Sequence, residues 1–383
     1  MAKAKNRESS LKPLPCHRIV AKFGTSLLTG GSDHLNQDIM ASLVAQVAQL
    51  HKQGLELLVV SSGAIASGRY KLGLTKKLKG IPYKQVLASV GQNRLMYVYE
   101  QLFSQHDITV AQALLTRADL TDRAGYLNAR NTLLALLELR VLCIVNENDV
   151  VAVDEIEEDK FGDNDNLSAM VANLVDADLL LILTDIAGLY TADPRRDPEA
   201  RLISQVERID SEIERLAADT PSHLGTGGMI TKIEAAKLAT ASGITVVIAD
   251  GKEPDIISRV VAGEPTGTRF LPTTSKLESR KRWMLSGLST KGKLMVDSGA
   301  ALALKKQNRS LLAAGIKEVA GEFQRGDILN IYDPDGSHLG CGITNYSSAD
   351  IEAIKGAHSR KIATLLGYDY GSEVVHRNNL VVL

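Results

Sequence analysis

The chain has 383 residues, of which 44% are hydrophobic and 23% are charged, and its net charge at pH 7 is −1. This composition excludes a disordered chain, which would be poorer in apolar residues and further from neutrality. At roughly 100–200 residues per domain, the length predicts two or three domains. The near-neutral charge excludes an overall field that attracts nucleic acid or acidic lipid, and no apolar run reaches the roughly 18 residues of a membrane span.

The cysteines and the N-terminal segment indicate the compartment. Cys16, Cys143 and Cys341 are too few for a disulfide framework and form no CxxC pair, which predicts a reducing, cytoplasmic environment. Residues 1–17 are basic and polar and lack the apolar core of a secretion signal. We therefore expect a disordered extension there, and a transit peptide is the alternative on composition.

Short apolar segments alternate with amphipathic helical segments between residues 18 and 271. The helix that starts near Ile39 has apolar residues at helical spacing and ends at Gly54. This alternation predicts one α/β domain with a mainly parallel sheet. The predicted strands are Ile19–Phe23, Leu55–Val60, Val141–Val145, Leu179–Leu183 and Ile244–Ala249.

The pattern changes after Gly263. Residues 272–284 predict a basic linker, and residues 285–383 predict a small β-barrel-like domain with one or two helices, because the apolar segments there are short and separated by turn residues. Its predicted strands are Gly292–Val296, Gly315–Ala320, Asp327–Tyr332, Cys341–Tyr346 and Val374–His376. Its predicted helical stretches are Gly299–Gln307 and Ser348–Leu366.

The first two predicted strands end in residues suited to binding an anion. Lys22 is followed by Gly24, and glycine lets backbone N–H groups approach a phosphate while lysine supplies the charge. The second strand runs into Ser61–Gly63, at the sheet edge where open α/β sheets bind ligands. A solvated lysine and an ordinary strand-to-helix turn are the alternatives. The P-loop pattern GxxxxGK[ST] is absent, and no GxGxxG follows a strand.

Acidic and amide residues follow the next strand and open the next helix. They lie in Asn146–Asp149 and in Gly162–Asn166. An EF-hand is excluded because DxDxDG is absent, and a helix N-cap explains one of these residues but not all of them.

A second phosphate-type site is predicted later in the same domain. Thr184 and Asp185 follow the strand Leu179–Leu183, and the glycine-rich segment Leu224–Lys232 leads into a helix. A flexible glycine loop is the alternative. Because a parallel sheet gathers its strand ends at one edge, Lys22 and Lys232 would neutralise charge on a transferring phosphoryl group there.

Nine segments, in order and spacing, resemble the glutamate 5-kinase branch of the amino acid kinase family across residues 18–271. The tail from Trp283 resembles a PUA domain, which bacterial members often carry. The resemblance implies an αβα sandwich with a mainly parallel central sheet, the amino acid kinase fold, followed by a β-barrel-like PUA domain. The segments are KFGTSLLTGG, VSSGAIASG, VGQ, LLTRAD, YLNAR, NENDVVA, GDNDNLSA, ILTDIAGLYTADP and GTGGMITK.

The same resemblance implies ATP-dependent phosphorylation of the γ-carboxylate of L-glutamate to L-glutamyl 5-phosphate, the first step of proline biosynthesis. The implied catalytic residues are Lys22, Lys232 and Asp165, with Asp165 holding the two lysines in place. Those implied to bind L-glutamate are Ser62, Asp149, Asn164 and Asp163. Those implied to bind ATP are Lys22, Thr184, Asp185, Thr226, Gly227, Gly228, Met229, Ile230, Thr231 and Lys232.

Further properties are implied by resemblance alone. They are Mg²⁺ carried with ATP rather than held by a protein metal site, inhibition by proline, a homo-oligomer (dimer or tetramer), and handover of the product to glutamyl phosphate reductase. Two departures stand out. Phe23 replaces the usual Leu, and the acidic segment Asp154–Phe161 is longer than usual, which leaves the loop geometry before Gly162 open.

Three alternatives remain at this point. Acetylglutamate kinase, aspartokinase, carbamate kinase or uridylate kinase is disfavoured by NENDVVA, GDNDN and the PUA-like tail. RNA binding is disfavoured because residues 285–383 carry 11 Lys or Arg against 10 Asp or Glu, a net charge of +1. A catalytically inactive regulator would lack a lysine or Asp165, and neither lysine nor Asp165 is missing.

Overall fold

The structure is a computed structural model and describes residues 16–74, 80–152, 164–218, 228–276, 291–307 and 309–382. These residues form two compact units. One contains the residues up to Leu120 together with Arg130–Lys276, and the other contains Thr121–Ala129 together with the residues after Lys276. The expected disordered extension lies outside the described residues except for Cys16 and His17, and the expected linker is described only up to Lys276.

The first unit is built on an eight-stranded sheet with the strand order β3-β4-β2-β1-β5-β7-β8-β6. Neighbouring strands are parallel except for β7 and β8, which are antiparallel. The strands are β1 (Arg18–Phe23), β2 (Glu56–Val60), β3 (Val110–Leu115), β4 (Leu142–Glu147), β5 (Leu179–Thr184), β6 (Gln205–Val206), β7 (Thr245–Asp250) and β8 (Thr268–Phe270).

Helices cover this sheet on both faces, which confirms the predicted αβα sandwich. Ile19 and Phe23 of β1 face a core that also contains Leu43 and Tyr99, while Val20 points to the opposite face and is equally buried. The helices described up to Lys276 are α1 (Thr25–Thr29), α2 (Gln37–Lys52), α3 (Ala64–Lys71), α4 (Ile81–Ser104), α5 (Arg117–Thr121), α6 (Arg123–Glu138), α7 (Asn164–Leu174), α8 (Ser211–Ala218), α9 (Met229–Ala241) and α10 (Ile256–Val261).

The second unit has a five-stranded sheet in the order β11-β9-β12-β13-β15 and a separate β10-β14 pair. Leu294, Leu329 and Ile351 belong to its core. The strands are β9 (Gly292–Val296), β10 (Leu311–Leu312), β11 (Ile316–Ala320), β12 (Ile328–Tyr332), β13 (His338–Ile343), β14 (Glu373–Val375) and β15 (Leu380–Val382). The helices are α11 (Ser298–Gln307), α12 (Ser348–Ile354) and α13 (Ile362–Leu366).

Two predicted elements of this unit are wrong in extent. The strand predicted at Cys341–Tyr346 lies three residues earlier, at His338–Ile343. The helix predicted across Ser348–Leu366 is broken after Ile354, because Gly356 has a φ of 73° that ends the helical path. No helix among the described residues is long and apolar enough to cross a membrane.

Candidate active site

The strand order places the exits of β4, β2, β1 and β5 side by side at one edge of the sheet. Lys22 on β1 is level with Val60 on β2 and with Ile182 on β5. Beyond these positions, the backbone N–H of Gly24 donates to the carbonyl of Leu183 at 3.2 Å, which joins the exits of β1 and β5. This edge of the sheet therefore brings together Lys22 and the two polar turns that follow β2 and β4.

Asp165 binds both of the predicted catalytic lysines. It lies in the first turn of α7, where its Oδ1 forms an ion pair with Lys22 and its Oδ2 accepts from Nζ of Lys232 at 3.1 Å. The hydroxyl of Thr231 also donates to Oδ2, at 2.9 Å. Asp165 is 1% exposed and each lysine is 5% exposed, so the three charges are held away from water.

The electrostatics of this cluster keep Asp165 ionised. Burial by itself would raise the pKa of the Asp165 carboxyl, but the charges of Lys22 and Lys232 outweigh burial and hold its pKa well below its usual range. One carboxylate then lies between two ammonium groups, so these three side chains together carry two positive charges and one negative charge. A buried site of this kind favours a bound anion.

A network of amide side chains lies beside the lysine cluster. The Nδ2 group of Asn164 donates to the Ser61 carbonyl at 2.8 Å, to Oγ of Ser62 at 3.0 Å and to Oδ1 of Asn146 at 3.1 Å. The side chain of Asn146 donates in turn to Oε1 of Gln92 at 2.7 Å. Two residues predicted to bind L-glutamate, Ser62 and Asn164, therefore contact each other directly next to Asp165.

Asp149 lies in a cleft of about 520 Å³ together with Glu147, Asn148 and Gln92. The cleft is bounded by α4 and by β3. This places Asp149 on the β4 side of the site. The remaining predicted glutamate residue, Asp163, lies outside the described residues, as does the long acidic segment before it.

The residues predicted to bind ATP lie around the exit of β5 and the start of α9. Thr184 ends β5, is 7% exposed and donates its hydroxyl proton to Oδ1 of Asp185 at 3.1 Å. Helix α9 begins at Met229 after Gly228, so its first backbone N–H groups and Lys232 form one positive end. Ile230 is 46% exposed, and Thr226 and Gly227 lie outside the described residues.

Several residues that shape the site are not among those predicted from sequence. Asn146 and Gln92 belong to the amide network described above. The buried hydroxyl of Tyr99 shares a hydrogen bond of 2.8 Å with Oγ of Ser61, and burial raises the pKa of Tyr99. Arg130 is 2% exposed and binds the Leu174 carbonyl at the end of α7, the helix whose first turn carries Asp165.

In the described part of the chain, no group of three or more His, Cys, Asp or Glu side chains is arranged to hold a metal ion.

Comparison with known proteins identifies relatives over almost the whole chain. The model of the amino acid kinase family matches residues 17–250, and that of the PUA domain matches residues 292–366. Glutamate 5-kinase of Dehalococcoides mccartyi (strain CBDB1) is 60% identical over 366 residues, which cover 96% of this chain and 98% of that protein. Glutamate 5-kinase of Herpetosiphon aurantiacus is 54% identical, with coverages of 95% and 98%.

Among solved structures, UMP kinase from Bacillus anthracis aligns with 68% of this chain and 98% of its own, at 13% identity and a TM-score of 0.48. The chain belongs to the glutamate 5-kinase branch of the amino acid kinase family and carries a PUA domain in its C-terminal part.

Proposed function

We propose that the chain catalyses ATP-dependent phosphorylation of the γ-carboxylate of L-glutamate, yielding L-glutamyl 5-phosphate and ADP in the first step of proline biosynthesis. The observation that carries the proposal is the binding of Asp165 to both Lys22 and Lys232 directly beside the Asn164–Ser62 contact. The identity of 60% and 54% to two glutamate 5-kinases supports the choice of substrate.

The reaction needs charge stabilisation more than proton transfer. A glutamate γ-carboxylate has a pKa of about 4.3 and is already ionised near neutral pH, so its oxygen attacks without a general base. The new bond joins this oxygen to the γ-phosphorus as the bond to the β–γ bridging oxygen breaks, and ADP leaves with that electron pair. Two like-charged groups must approach each other, which makes buried cations the decisive residues.

Each residue of the centre has a role in this step. Lys22 and Lys232 neutralise the charge on the equatorial oxygens of the transferring phosphoryl group, and Asp165 fixes the positions of both ammonium groups. The N–H groups at the start of α9 bind phosphate oxygens. Thr184 and Asp185 contact the nucleotide at the exit of β5, while Ser62, Asn164 and Asp149 orient L-glutamate.

The proposal extends to the cofactor and to partners. Mg²⁺ enters with ATP, because magnesium in kinase sites is bound mainly through substrate phosphates and retained waters. Proline inhibits at or beside the glutamate pocket, and the chain forms a dimer or tetramer. The labile product is handed to glutamyl phosphate reductase. These points rest on family membership, and Mg²⁺ dependence is checked by titrating the ion at fixed ATP.

The direct test is ADP release with L-glutamate, N-acetyl-L-glutamate and L-aspartate in parallel, with hydroxylamine present to trap the acyl phosphate as a hydroxamate. We expect ADP and hydroxamate in equal amounts with L-glutamate and far less with the other two amino acids. Higher turnover with N-acetyl-L-glutamate or L-aspartate would assign the chain to a different substrate. ADP release without hydroxamate would exclude transfer to a carboxylate.

A further inference from the structure

An unusually close contact between α3 and α4 holds Gln92 near the turn Ser61–Gly63 that follows β2. A Cβ atom on Gly91 would lie 1.8 Å from the backbone carbonyl oxygen of Ala64, and one on Gly68 would lie 1.8 Å from that of Leu87. The two helices therefore touch through their backbones. Because α3 begins directly after Ser62 and Gly63, this contact fixes Gln92, the residue after Gly91, beside that turn.

The hydrogen bonds of the network decide how the Asn146 amide is oriented. The backbone N–H of Glu147 is a donor only, and it donates to Oδ1 of Asn146 at 2.9 Å. The oxygen of the Asn146 amide is thereby identified, so its Nδ2 group is the donor in the 2.7 Å bond to Gln92. Oε1 of Gln92 must accept this bond.

Gln92 is left with a buried donor. Its Nε2 atom is inaccessible to solvent and has no hydrogen-bond partner in the part of the chain that the structure describes. The same holds for Oδ1 of Asn164, whose Nδ2 group is fixed by donation to the Ser61 carbonyl. The Asn164 residue is 7% exposed. Buried polar groups are normally paired, so one unpaired donor and one unpaired acceptor in a single network indicate a ligand with both kinds of group.

Resting on the proposed function, we propose that Nε2 of Gln92 donates to the α-carboxylate of L-glutamate and makes Gln92 a specificity-determining residue. Oδ1 of Asn164 then accepts from the substrate ammonium group, whose charge faces Asp149. In this arrangement the bound substrate supplies a hydrogen-bond partner for Nε2 of Gln92 and for Oδ1 of Asn164, and the charge of its ammonium group is balanced by Asp149.

The order of the strands indicates which of the two substrate carboxylates lies near Gln92. Lys22, at the phosphoryl-transfer end, is on β1, whereas the partner of Gln92, Asn146, is on β4. The two strands are separated by β2, and neighbouring strands lie about 4.8 Å apart. The γ-carboxylate must reach Lys22 and Lys232, so the other end of the substrate extends across β2 towards β4, where Nε2 of Gln92 lies.

The substitution Gln92→Glu tests this assignment with little change in shape. A glutamate at this position keeps an oxygen to accept from Asn146, and it replaces only the Nε2 donor by a second oxygen. We expect KM for L-glutamate to rise by at least about tenfold, the scale of one lost charge-assisted bond, with KM for ATP within about twofold of wild type. Gln101→Glu is the matched control, because Gln101 is exposed on the same helix, and it should leave both values unchanged.

The α-amide of L-glutamate separates a specific contact from a general disturbance of the site. The carboxamide of this analogue can donate a hydrogen bond to the side-chain carboxylate that Gln92→Glu introduces. We therefore expect Gln92→Glu to shift the ratio of kcat/KM for the α-amide to kcat/KM for L-glutamate by at least about tenfold in favour of the α-amide. Gln92→Met, which has neither donor nor acceptor, should raise KM for L-glutamate without this shift. The KM of Gln92→Met for L-glutamate also tests the assignment if Gln92→Glu does not fold.

The result that overturns the assignment is a folded Gln92→Glu variant with an unchanged KM for L-glutamate, or one whose preference between L-glutamate and its α-amide equals that of the wild type. The activity of the wild-type protein separates failure of the proposed function from failure of the role of Gln92. If it does not phosphorylate L-glutamate, the proposed function itself is wrong. If it does and Gln92→Glu behaves like it, only the role of Gln92 is wrong.

Discussion

Asp165 is the residue on which the proposed phosphoryl transfer depends most. Its carboxylate binds the two buried ammonium groups, of Lys22 and Lys232, and without it these groups would repel each other inside a site closed to water. Removing the carboxylate would therefore destabilise the folded protein, because two like charges would remain buried close together.

The substitution Asp165→Asn should lower the free energy of unfolding by about 3–5 kcal/mol at neutral pH. Because the pKa of Asp165 is lower in the folded state than in the unfolded state, its contribution is complete above the unfolded pKa of about 3.9 and is lost as the pH falls through the lower folded value. Urea unfolding between about pH 4 and pH 8 should show a constant difference from wild type above about pH 5 and a shrinking one at the acid end. A difference that grows on acidification would contradict the ionised, doubly paired Asp165.

Asp149 is the residue expected to recognise the substrate ammonium group. Asp149→Asn should raise KM for L-glutamate by roughly ten- to a hundredfold, because a hydrogen bond to a charged group is worth about 1.5–3 kcal/mol. KM for ATP should change little, since Asp149 lies in the cleft between α4 and β3 rather than at the start of α9. Steady-state kinetics with each substrate varied in turn will measure both values. Equal increases would place Asp149 outside the glutamate pocket.

Among the helices, α3 and α4 touch through their backbones directly after the turn Ser61–Gly63, and we expect this contact to fix the shape of that turn. Gly91→Ala should destabilise the protein by about 1–3 kcal/mol or more, because the new methyl group meets the rigid carbonyl of Ala64 rather than a side chain that can move. It should also raise KM for L-glutamate more than KM for ATP. Thermal unfolding and kinetics of this variant are compared with those of Gln101→Ala, an exposed position on α4. A stability and KM values equal to those of the wild type would show that the two helices can move apart without loss of stability.

Elements differ in how well the sequence predicts them, and burial explains the difference. The predictions for β5 and β7 are correct to within one residue, because strands covered on both faces are continuous apolar runs. The edge strand β3 is half-buried and polar at Gln112, and it is not predicted. Helix α4 is also not predicted, since it contacts both α2 and α3 and its apolar residues do not form one simple stripe.

At the scale of the whole molecule, the sequence predicts the charged centre but not its supporting network. Lys22, Asp165 and Lys232 each lie at a strand end or in the first turn of a helix, positions that a parallel sheet collects at one edge. Gln92 and Tyr99 lie inside a long helix. Their contribution depends on how closely α4 crosses α3 and on which amide atoms are already paired, and neither property is visible in the order of residues.

The PUA domain is expected not to bind RNA through phosphate contacts. Residues 285–383 have a net charge of +1, and specific or non-specific RNA binding requires several unpaired cations on one surface. A gel-shift assay of the full chain with total RNA at low salt should therefore show no stable complex. A retarded complex that persists at about 150 mM salt would show that the surface binds RNA despite its small net charge.

We propose that two buried lysines stabilise the transferring phosphoryl group, and kcat of Lys232→Ala measures this role directly. We predict a decrease of at least about a hundredfold, the scale for losing one preorganised charge donor, in a variant that remains folded by circular dichroism. Lys237→Ala on the same helix is the control, since Lys237 is 62% exposed and pairs with Glu214 at the surface, and its kcat should match wild type. Near-normal kcat in folded Lys232→Ala would contradict the claim.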